Sequence, residues 1–501
     1  MALQYLLQAL QSAFSPINLL TLIISVTFGL IVGMLPGLTS TMAVALLTGL
    51  TFSLSKETAI ISLMGVYVGS ISGGCQSAIL LNIPGTPASA ATAMDGYPLN
   101  KQGKAGLAIF LATAASALGT IISVICVLSL TPFLSGIGLK FQSYEYFLLA
   151  LFGVIICGNL ASNGDALKGW IAGLVGLLIA MVGLDTIGAY PRFSFGMLNL
   201  KAGLQLIPLM IALFGFPEIL KVFRKSQEQI SGMTPLNIKE GIAILKKNIV
   251  NIIRSALIGV FVGIVPGVGE DVGGWLSYWA AKSTSKKPEG FGKGEPAGVI
   301  AAETGNNSCI GGAIIPVLSL AVPGSTSAAV LLAAFYLHGY RPGPLLMTDS
   351  PNFLYEISIY LLLASIVMFI VALVVARFTV KILSLKKETL IPIIFVFCII
   401  GSFLVRGNYF DIKLMFVFGF IGFLLMYVKL PAAPLLLGMV LGTMGDSNLR
   451  RALKLSGGSI VPFFTRPISL FFVIVILFLI LSQFGIFKKI FKKKEKNEAV
   501  N

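Results

Sequence analysis

The sequence predicts an all-α polytopic membrane protein, and two observations support this prediction. Of the 501 residues, 56% are hydrophobic and 11% are charged, which is far from the balance of a soluble globular domain. Residues 106–139, 357–376 and 468–487 are continuous apolar stretches without a charged side chain. Each can cross a hydrocarbon core as a helix, since this takes about 20 apolar residues. They lack the short alternating segments of a β-barrel.

At this hydrophobicity the chain has room for about ten to twelve transmembrane segments. The first 16 residues predict a short interfacial helix that stays attached. Much of the net charge of +16 comes from lysines and arginines that follow apolar runs, which indicates cytoplasmic loops. We therefore expect four parts: a first transmembrane repeat (1–220), a basic cytoplasmic linker (221–250), a second transmembrane repeat with additional C-terminal helices (251–487) and a Lys-rich cytoplasmic tail (488–501).

Three blocks of sequence recur in the same order in the two halves, and in the last of them DGYPL (95–99) has an approximate counterpart in HGYRPGPLL (338–346). GLIVGMLPGLTS (29–40) lines up with GVFVGIVPGVGE (259–270). GGCQSAILLNIPGTPAS (73–89) lines up with GGAIIPVLSLAVPGSTS (311–327), so that Pro84-Gly85 falls on Pro323-Gly324. This order indicates an internal duplication, and we expect inverted repeats of the kind that transporters contain.

The Pro-Gly pairs predict discontinuous helices. Proline lacks the amide hydrogen that a helix needs and clashes with the preceding turn, and glycine relaxes the backbone beside it. At membrane depth the freed polar groups must be buried in protein or line a wet cavity, so matched breaks in two halves indicate a binding site. The alternative is a pair of simple kinks or external turns, because Pro-Gly is also common in loops.

Small hydroxyl residues follow both breaks, where new helices are expected to begin. Unpaired amides and the positive dipole end of a helix N-terminus suit a carboxylate. Small side chains also let an anion approach the backbone, although the same residues are common where membrane helices pack together. The predicted substrate-binding residues are Asn82, Pro84, Gly85, Thr86, Ser89, Pro323, Gly324, Ser325, Thr326 and Ser327.

Acids and amides near the breaks are candidates for the coupling ion, since charges at membrane depth are costly and usually functional. They could hold a sodium ion or carry a proton. The alternative for Asp95 is a carboxylate in a solvated loop. The candidates are Asp95, Glu270, Asp271, Glu303, Asn306 and Asn307. Beyond a possible sodium ion we expect no cofactor and no metal.

An enzyme is not predicted. The sequence has no HExxH motif, no Walker A motif and no GxSxG in a strand-to-helix setting. The single histidine and the singly placed cysteines do not indicate a zinc site or a disulfide framework. A channel stays open as an alternative, because broken helices also build selectivity filters.

Four segments together closely resemble the TctA family, the large membrane subunit of tripartite tricarboxylate transporters. They are GLIVGMLPGLTS, SAILLNIPGTPASAATAMDGYPLNKQGKAGLAI, GVFVGIVPGVGEDVGGWLSYWAAK and HGYRPGPLL. The resemblance covers nearly the whole chain. It implies a multi-pass secondary transporter of a bacterial or archaeal inner membrane that takes up di- or tricarboxylates by symport with an ion. It also implies two separate partner proteins, a small membrane subunit and an extracytoplasmic substrate-binding protein, and no nucleic acid.

The family's signature positions fall on Pro84 to Ser89, Asp95 to Pro98, Pro266-Gly267 and Pro323 to Ser325. The resemblance and the repeat together predict alternating access, with the two Pro-Gly hairpins meeting near the membrane midplane around the substrate carboxylates and the coupling ion. A facilitator or channel for small organic anions is the alternative function.

Overall fold

The computed structural model describes residues 2–35, 38–161, 166–185, 187–221, 235–383 and 387–483. Pro36, Gly37, part of the predicted linker and the whole Lys-rich tail lie outside the described residues.

The described chain is almost entirely α-helical, as the sequence predicts. The helices are α1 (Ala2–Ala13), α2 (Pro16–Met34), α3 (Ser40–Leu50), α4 (Lys56–Leu81), α5 (Ala90–Lys101), α6 (Ala105–Gly138), α7 (Ser143–Ala161), α8 (Ala166–Ala180), α9 (Leu198–Lys201), α10 (Leu206–Lys221), α11 (Ile238–Lys247), α12 (Ile249–Ile264), α13 (Gly269–Thr284), α14 (Pro296–Leu320), α15 (Thr326–Leu337), α16 (Leu346–Asp349), α17 (Pro351–Ala376), α18 (Thr379–Leu383), α19 (Lys387–Leu404), α20 (Tyr409–Tyr427), α21 (Ala432–Leu455), α22 (Pro462–Thr465) and α23 (Pro467–Gln483). Two short strands, β1 (Gly183–Leu184) and β2 (Pro191–Arg192), pair antiparallel.

The chain forms two compact units. Unit 1 contains residues 1–139 and 205–424, and unit 2 contains residues 140–204 and 425–501. The repeated sequence blocks all belong to unit 1. Unit 2 contains the short strands and the helices α7 to α9 and α21 to α23.

Five helices of the described chain are long and apolar enough to span a membrane, which supports a multi-pass membrane protein. They are α2, α4, α6, α17 and α20. The pair α11 and α12, bent by 73° at Asn248, would make a sixth span. Six shorter apolar helices of 10–17 residues lie at 40–53, 143–158, 166–180, 326–337, 395–404 and 467–481.

Unit 1 contains two series of helices in the same order. In the first series, α2 and α3 precede the 26-residue helix α4, then a break, the 12-residue helix α5 and the long helix α6. In the second, α12 and α13 precede the 25-residue helix α14, then a break, the 12-residue helix α15 and, after the one-turn helix α16, the long helix α17. The central helices of both series form the core: residues 58–80 of α4 and 298–319 of α14 are all buried.

Glycines bring the helices of each series close together. A Cβ added to Gly33 of α2 would overlap the carbonyl oxygen of Ser70 in α4. In the second series, a Cβ on Gly312 of α14 would lie 2.5 Å from the carbonyl oxygen of Val260 in α12. Small residues allow such backbone approach, which is a main source of packing energy between membrane helices. These contacts position α4 and α14, the helices whose C-terminal ends lead into the two breaks.

Candidate functional site

Both central helices end in the same way, four residues before the glycine of a Pro-Gly pair. Helix α4 ends at Leu81, and Asn82 follows in the left-handed conformation with φ of 57°. Helix α14 ends at Leu320, and Ala321 follows with φ of 56°. A left-handed residue terminates a helix because it turns the next amide out of the helical path. Asparagine adopts this conformation more readily than alanine, so the second stop costs more backbone energy.

The glycine of each break contacts the first helix of its own series. A Cβ on Gly85 would overlap the carbonyl oxygen of Gly33, and a Cβ on Gly324 would overlap that of Gly263. Both positions therefore require glycine for close backbone approach. The Gly85 amide also donates to the Gly74 carbonyl oxygen at 3.4 Å.

The second break is held by a buried acid. Ser325 caps α15 by accepting a hydrogen bond from the Ala328 amide at 3.1 Å, and its hydroxyl donates to Glu270 Oε1 at 2.9 Å. The Tyr67 hydroxyl of α4 donates to the same carboxylate oxygen. Glu270 is 5% exposed and lies in the first turn of α13. This group, named here the Glu270 cluster, consists of Tyr67, Glu270 and Ser325.

Hydroxyl side chains join the start of α3 to the start of α15. Ser40 Oγ and Ser327 Oγ are 2.8 Å apart, and Thr41 Oγ1 lies 2.8 Å from Thr326 Oγ1 and 3.2 Å from Ser327 Oγ. Each hydroxyl oxygen keeps lone-pair capacity beyond these bonds. The second break therefore presents oxygen atoms from both series in one place.

A second acid, Glu303 of α14, is fully buried and lies among donors. Its oxygens accept hydrogen bonds from Thr92 Oγ1, from Ser116 Oγ at 2.8 Å and from Asn307 Nδ2 at 3.2 Å. Asn307 Oδ1 points away and accepts from Ser72 Oγ at 2.6 Å. This group, named here the Glu303 cluster, joins α4, α5, α6 and α14. In it Asn307 acts as a hydrogen-bond donor to the acid.

The first break lies beside a buried amide without a hydrogen-bond partner. Neither Asn306 Oδ1 nor Asn306 Nδ2 has a partner in the described part of the chain, and the side chain is 0% exposed. A Cβ built on Gly274 of α13 would lie 3.2 Å from the Ala88 carbonyl oxygen and 3.6 Å from Asn306 Cβ. Ala88 belongs to the 3₁₀ turn Pro87–Ser89 that leads from the first break into α5. An unsatisfied buried amide costs about 1–3 kcal/mol, so this position calls for an explanation.

The remaining predicted residues divide into buried and exposed positions. Thr86 and Ser89 are buried, with their hydroxyl oxygens 3.4 Å apart, whereas the side chains of Asn82 and Asp271 are exposed. Pro84 is partly buried and Pro323 is buried, each beside its glycine.

Asp95 is not in a solvated loop; it lies within α5 and is 0% exposed. Its Oδ1 accepts hydrogen bonds from the backbone amides of Gly292, Gly294 and Glu295 at 2.8–2.9 Å. Asp95 thus anchors the loop that precedes α14, and this contact positions α14 relative to α5.

The described acids of unit 2 are of a different kind, since each is paired with arginine. Asp185 accepts hydrogen bonds from Arg450, and Arg192 lies 3.5 Å from it and 3.0 Å from Asp446. The Arg450 guanidinium lowers the pKa of the Asp185 carboxyl to about 2. Glu145 accepts from Arg466 Nε at 2.7 Å. These pairs neutralise their own charge, so they need no further ligand.

Sequence reasoning missed several side chains that complete the clusters. The missed residues are Ser40, Thr41, Tyr67, Ser72, Thr92 and Ser116. The repeat alignment carried a signal for Ser40, because it aligns with Glu270. The others are ordinary hydroxyl residues within helices, and their partners lie 187 to 286 residues away along the chain.

Comparisons with known proteins identify a family and two relatives. A model of the family described as "Tripartite tricarboxylate transporter TctA family" matches residues 19–437. An Agrobacterium vitis protein, described as an uncharacterized 52.8 kDa protein in the TAR-I ttuC' 3' region, is 34% identical over 460 residues, covering 92% of this chain and 91% of that protein. A second A. vitis protein, from the TAR-II ttuC' 3' region, is 35% identical over 211 residues, covering 42% of this chain and 87% of that protein. No solved structure matches.

Proposed function

The chain belongs to the tripartite tricarboxylate transporter TctA family, and we propose that it is the membrane permease of a secondary, ion-gradient-driven uptake system for di- or tricarboxylates. Membership makes it a membrane subunit of a transporter and not an enzyme. Because the family's transporters are tripartite, further subunits belong to the system. We propose that these are a small membrane subunit and an extracytoplasmic protein that delivers the substrate.

The proposed substrate site lies at the two breaks. One observation carries this proposal: the first break approaches a fully buried Asn306 amide that has no partner among the described residues, next to the helix start after Thr86. A substrate carboxylate can accept from the Asn306 Nδ2 group and from hydroxyls such as Thr86 and Ser89. Helix starts at α5 and α15 add positive dipole ends. Satisfying the amide would return the cost of its burial as binding energy.

The proposed coupling ion is a sodium ion or a proton. For sodium, the Glu270 cluster with the hydroxyls of Ser40, Thr41, Thr326 and Ser327 supplies a carboxylate and neutral oxygens, the ligand types that hard cations prefer. For a proton, the buried acids Glu270 and Glu303 are the candidate carriers. Asp95 Oδ1 already accepts hydrogen bonds from loop amides, and the Asp271 side chain is exposed. Both acids are therefore weaker candidates for binding the coupling ion.

We also propose that the two series of unit 1 are inverted repeats and that the short apolar helices bring the number of membrane crossings to ten to twelve. The matched left-handed stops at Asn82 and Ala321 support the repeats, as do the matched contacts of Gly85 and Gly324. The proposed location is a bacterial or archaeal inner membrane, with the Lys-rich tail in the cytoplasm. A reporter enzyme fused after residue 501 tests the side of the tail, and a periplasmic signal would contradict it.

Uptake into proteoliposomes tests the function. The purified chain is reconstituted with the small membrane subunit and the binding protein, and radiolabelled citrate and succinate are offered under imposed sodium and proton gradients. Gradient-dependent accumulation of either acid is the expected result. Passive equilibration without accumulation would favour the channel or facilitator for organic anions, and no uptake of either acid would contradict carboxylate transport.

A further inference from the structure

The Glu303 carboxyl carries no compensating positive charge. Among the described residues, no lysine or arginine lies within 4.0 Å of it, in contrast to the paired acids of unit 2. It is 0% exposed, so water does not solvate it either. A buried, unpaired carboxylate is strongly unfavourable, and such a group takes up a cation or a proton.

The helices packed against α14 bring no positively charged side chain to Glu303. The Cys75 thiol of α4 faces Glu303 and adds negative charge if it ionises. Arg254 of α12 donates instead to Thr284 and Asn251. Helix α6 carries no charged residue at all.

The acids of the other neighbours are engaged elsewhere. Asp95 of α5 binds loop amides, and Glu270 of α13 belongs to the other cluster. Tyr278 of α13 packs against Phe291. The other basic residues of these helices, Lys56, Lys101 and Lys282, form no ion pair with Glu303 either, so no charged partner among the described residues offsets a charge on Glu303.

The bonding around Glu303 suits a proton better than a metal ion. Thr92, Ser116 and Asn307 all present hydrogens to it, and the Asn307 amide is held in this orientation by its bonds to Ser72 and Ser116. A sodium ion would need several lone pairs facing it at once, where this shell presents an N–H group. A protonated carboxyl can donate to Thr92 Oγ1 while its other oxygen still accepts from Asn307.

We infer that Glu303 carries the proton that accompanies the substrate through the transport cycle. In this buried conformation the carboxyl is protonated. When the site opens to the cytoplasm, its O–H bond breaks, the proton passes to water and the carboxylate remains until it takes a proton from the opposite side. The bond to Thr92 links this event to α5, the helix that follows the first break. The inference rests on the proposed function and assigns its ion to one residue.

Glu303→Gln tests the inference, because glutamine preserves the shape and donor of a protonated glutamate but cannot release a proton. The control is Glu289→Gln, which changes an exposed loop carboxylate. With the complete three-subunit system in proteoliposomes, we expect Glu303→Gln to exchange internal for external radiolabelled citrate or succinate while losing accumulation driven by a proton gradient. The wild type and Glu289→Gln should show both activities.

Infrared spectroscopy gives a second readout that needs no substrate. The wild type at neutral pH should show the C=O stretching band of a protonated, buried carboxyl, and Glu303→Gln should lose that band with its melting temperature preserved. An unchanged band, or gradient-driven accumulation by Glu303→Gln, would overturn the inference and leave carboxylate transport intact. If the wild type takes up neither acid, the proposed function fails, while the infrared result still decides whether Glu303 holds a proton.

Discussion

The two breaks of unit 1 have the same backbone but differ in how their polar groups are satisfied. Tyr67 and Asn306 both lie 15 residues before the left-handed residue that ends their helix. Tyr67 reaches across to Glu270 and Ser325 at the second break, whereas Asn306, beside the first break, has no partner in the described chain. Ser325 caps its helix with its side chain, and Thr86 makes no such cap bond.

This difference indicates that the two breaks have different roles, although they share the same backbone geometry. At the second break the acid, the hydroxyls and the helix start already satisfy one another's hydrogen-bond donors, so that only lone pairs remain free, for a cation. The first break leaves donors and acceptors buried and unused, which costs stability. Strain and unsatisfied groups persist where function needs them, so the first break is where we expect a ligand to add the missing bonds.

The largest effect is expected where the two breaks are alike. Gly85→Ala and Gly324→Ala each place a methyl group on a backbone carbonyl oxygen that cannot move aside. We expect each to lose at least about 3 kcal/mol of stability, the upper range for overpacked cores, and to abolish transport. Melting temperature in detergent and uptake measure this. Gly136→Ala is the matched control because nothing lies within 4 Å of its added Cβ. Normal stability and transport in both break variants would contradict a shared close-packed design.

Replacing the neighbouring residues Asn306 and Asn307 should change the stability of the protein in different ways. Asn307→Leu removes bonds to Ser72, Ser116 and Glu303, so we expect a loss of about 2–3 kcal/mol. Asn306→Leu replaces an amide that has no partner among the described residues by an apolar side chain of similar size. The melting temperature should therefore stay the same or rise, while transport should be lost. Thermal unfolding of both variants, with and without citrate or succinate, measures the difference. Destabilisation by Asn306→Leu equal to that by Asn307→Leu would mean that its amide is bonded after all.

Replacing the residue before each new helix should distinguish the two breaks by a smaller difference in stability. Ser325→Ala removes the cap to Ala328 and a donor to Glu270, which predicts a loss of about 1–2 kcal/mol. Thr86→Ala should leave stability nearly unchanged but weaken uptake, since Thr86 has no cap bond to lose. Paired melting and uptake curves test this, and Ser325→Thr serves as the conservative control. Equal losses of stability would show that the first break is capped too.

The smallest loss of stability at the second break is expected at Tyr67. Tyr67→Phe keeps the ring but removes one of two donors to Glu270, and Ser325 still donates to the acid. We expect a loss of about 1 kcal/mol, measured by thermal unfolding. In the double variant with Ser325→Ala the loss should exceed the sum of the single losses, because Glu270 would then lack both donors. Additive losses would argue that the two residues do not share this acid.

Much of the helical framework could be predicted from the sequence. The stretches at 106–139 and 357–376 correspond to α6 and α17, because long uncharged runs allow few other structures. Helix ends at Leu81, Ile264 and Leu320 fall where the Pro-Gly pairs occur. These are local consequences of missing amide hydrogens and of glycine's freedom, so a sequence carries them directly.

The partners of the buried acids could not be predicted. Glu303 meets Thr92 and Ser116, which lie 211 and 187 residues away in sequence, only after their helices pack together. Hydroxyl residues are common in membrane helices and bond mostly to their own backbone, so they carry no distinctive pattern. Asp95 looked like a loop carboxylate because the three amides that it binds belong to a segment 197 to 200 residues away in sequence. In the structure it lies within α5.

The glycine contacts between α2 and α4, and between α12 and α14, also restrict how unit 1 can move. Sliding between packed helices proceeds through small side-chain adjustments, but a carbonyl oxygen set against a glycine Cα has no rotamer with which to adjust. Each of these helix pairs should therefore move as one stiff body. The short segments 82–86 and 321–325, which contain the left-handed residues and the Pro-Gly pairs, are then the places where a change in backbone torsion turns α5 and α15. We therefore expect unit 1 to move by bending at these hinges and not by shear between the packed helices.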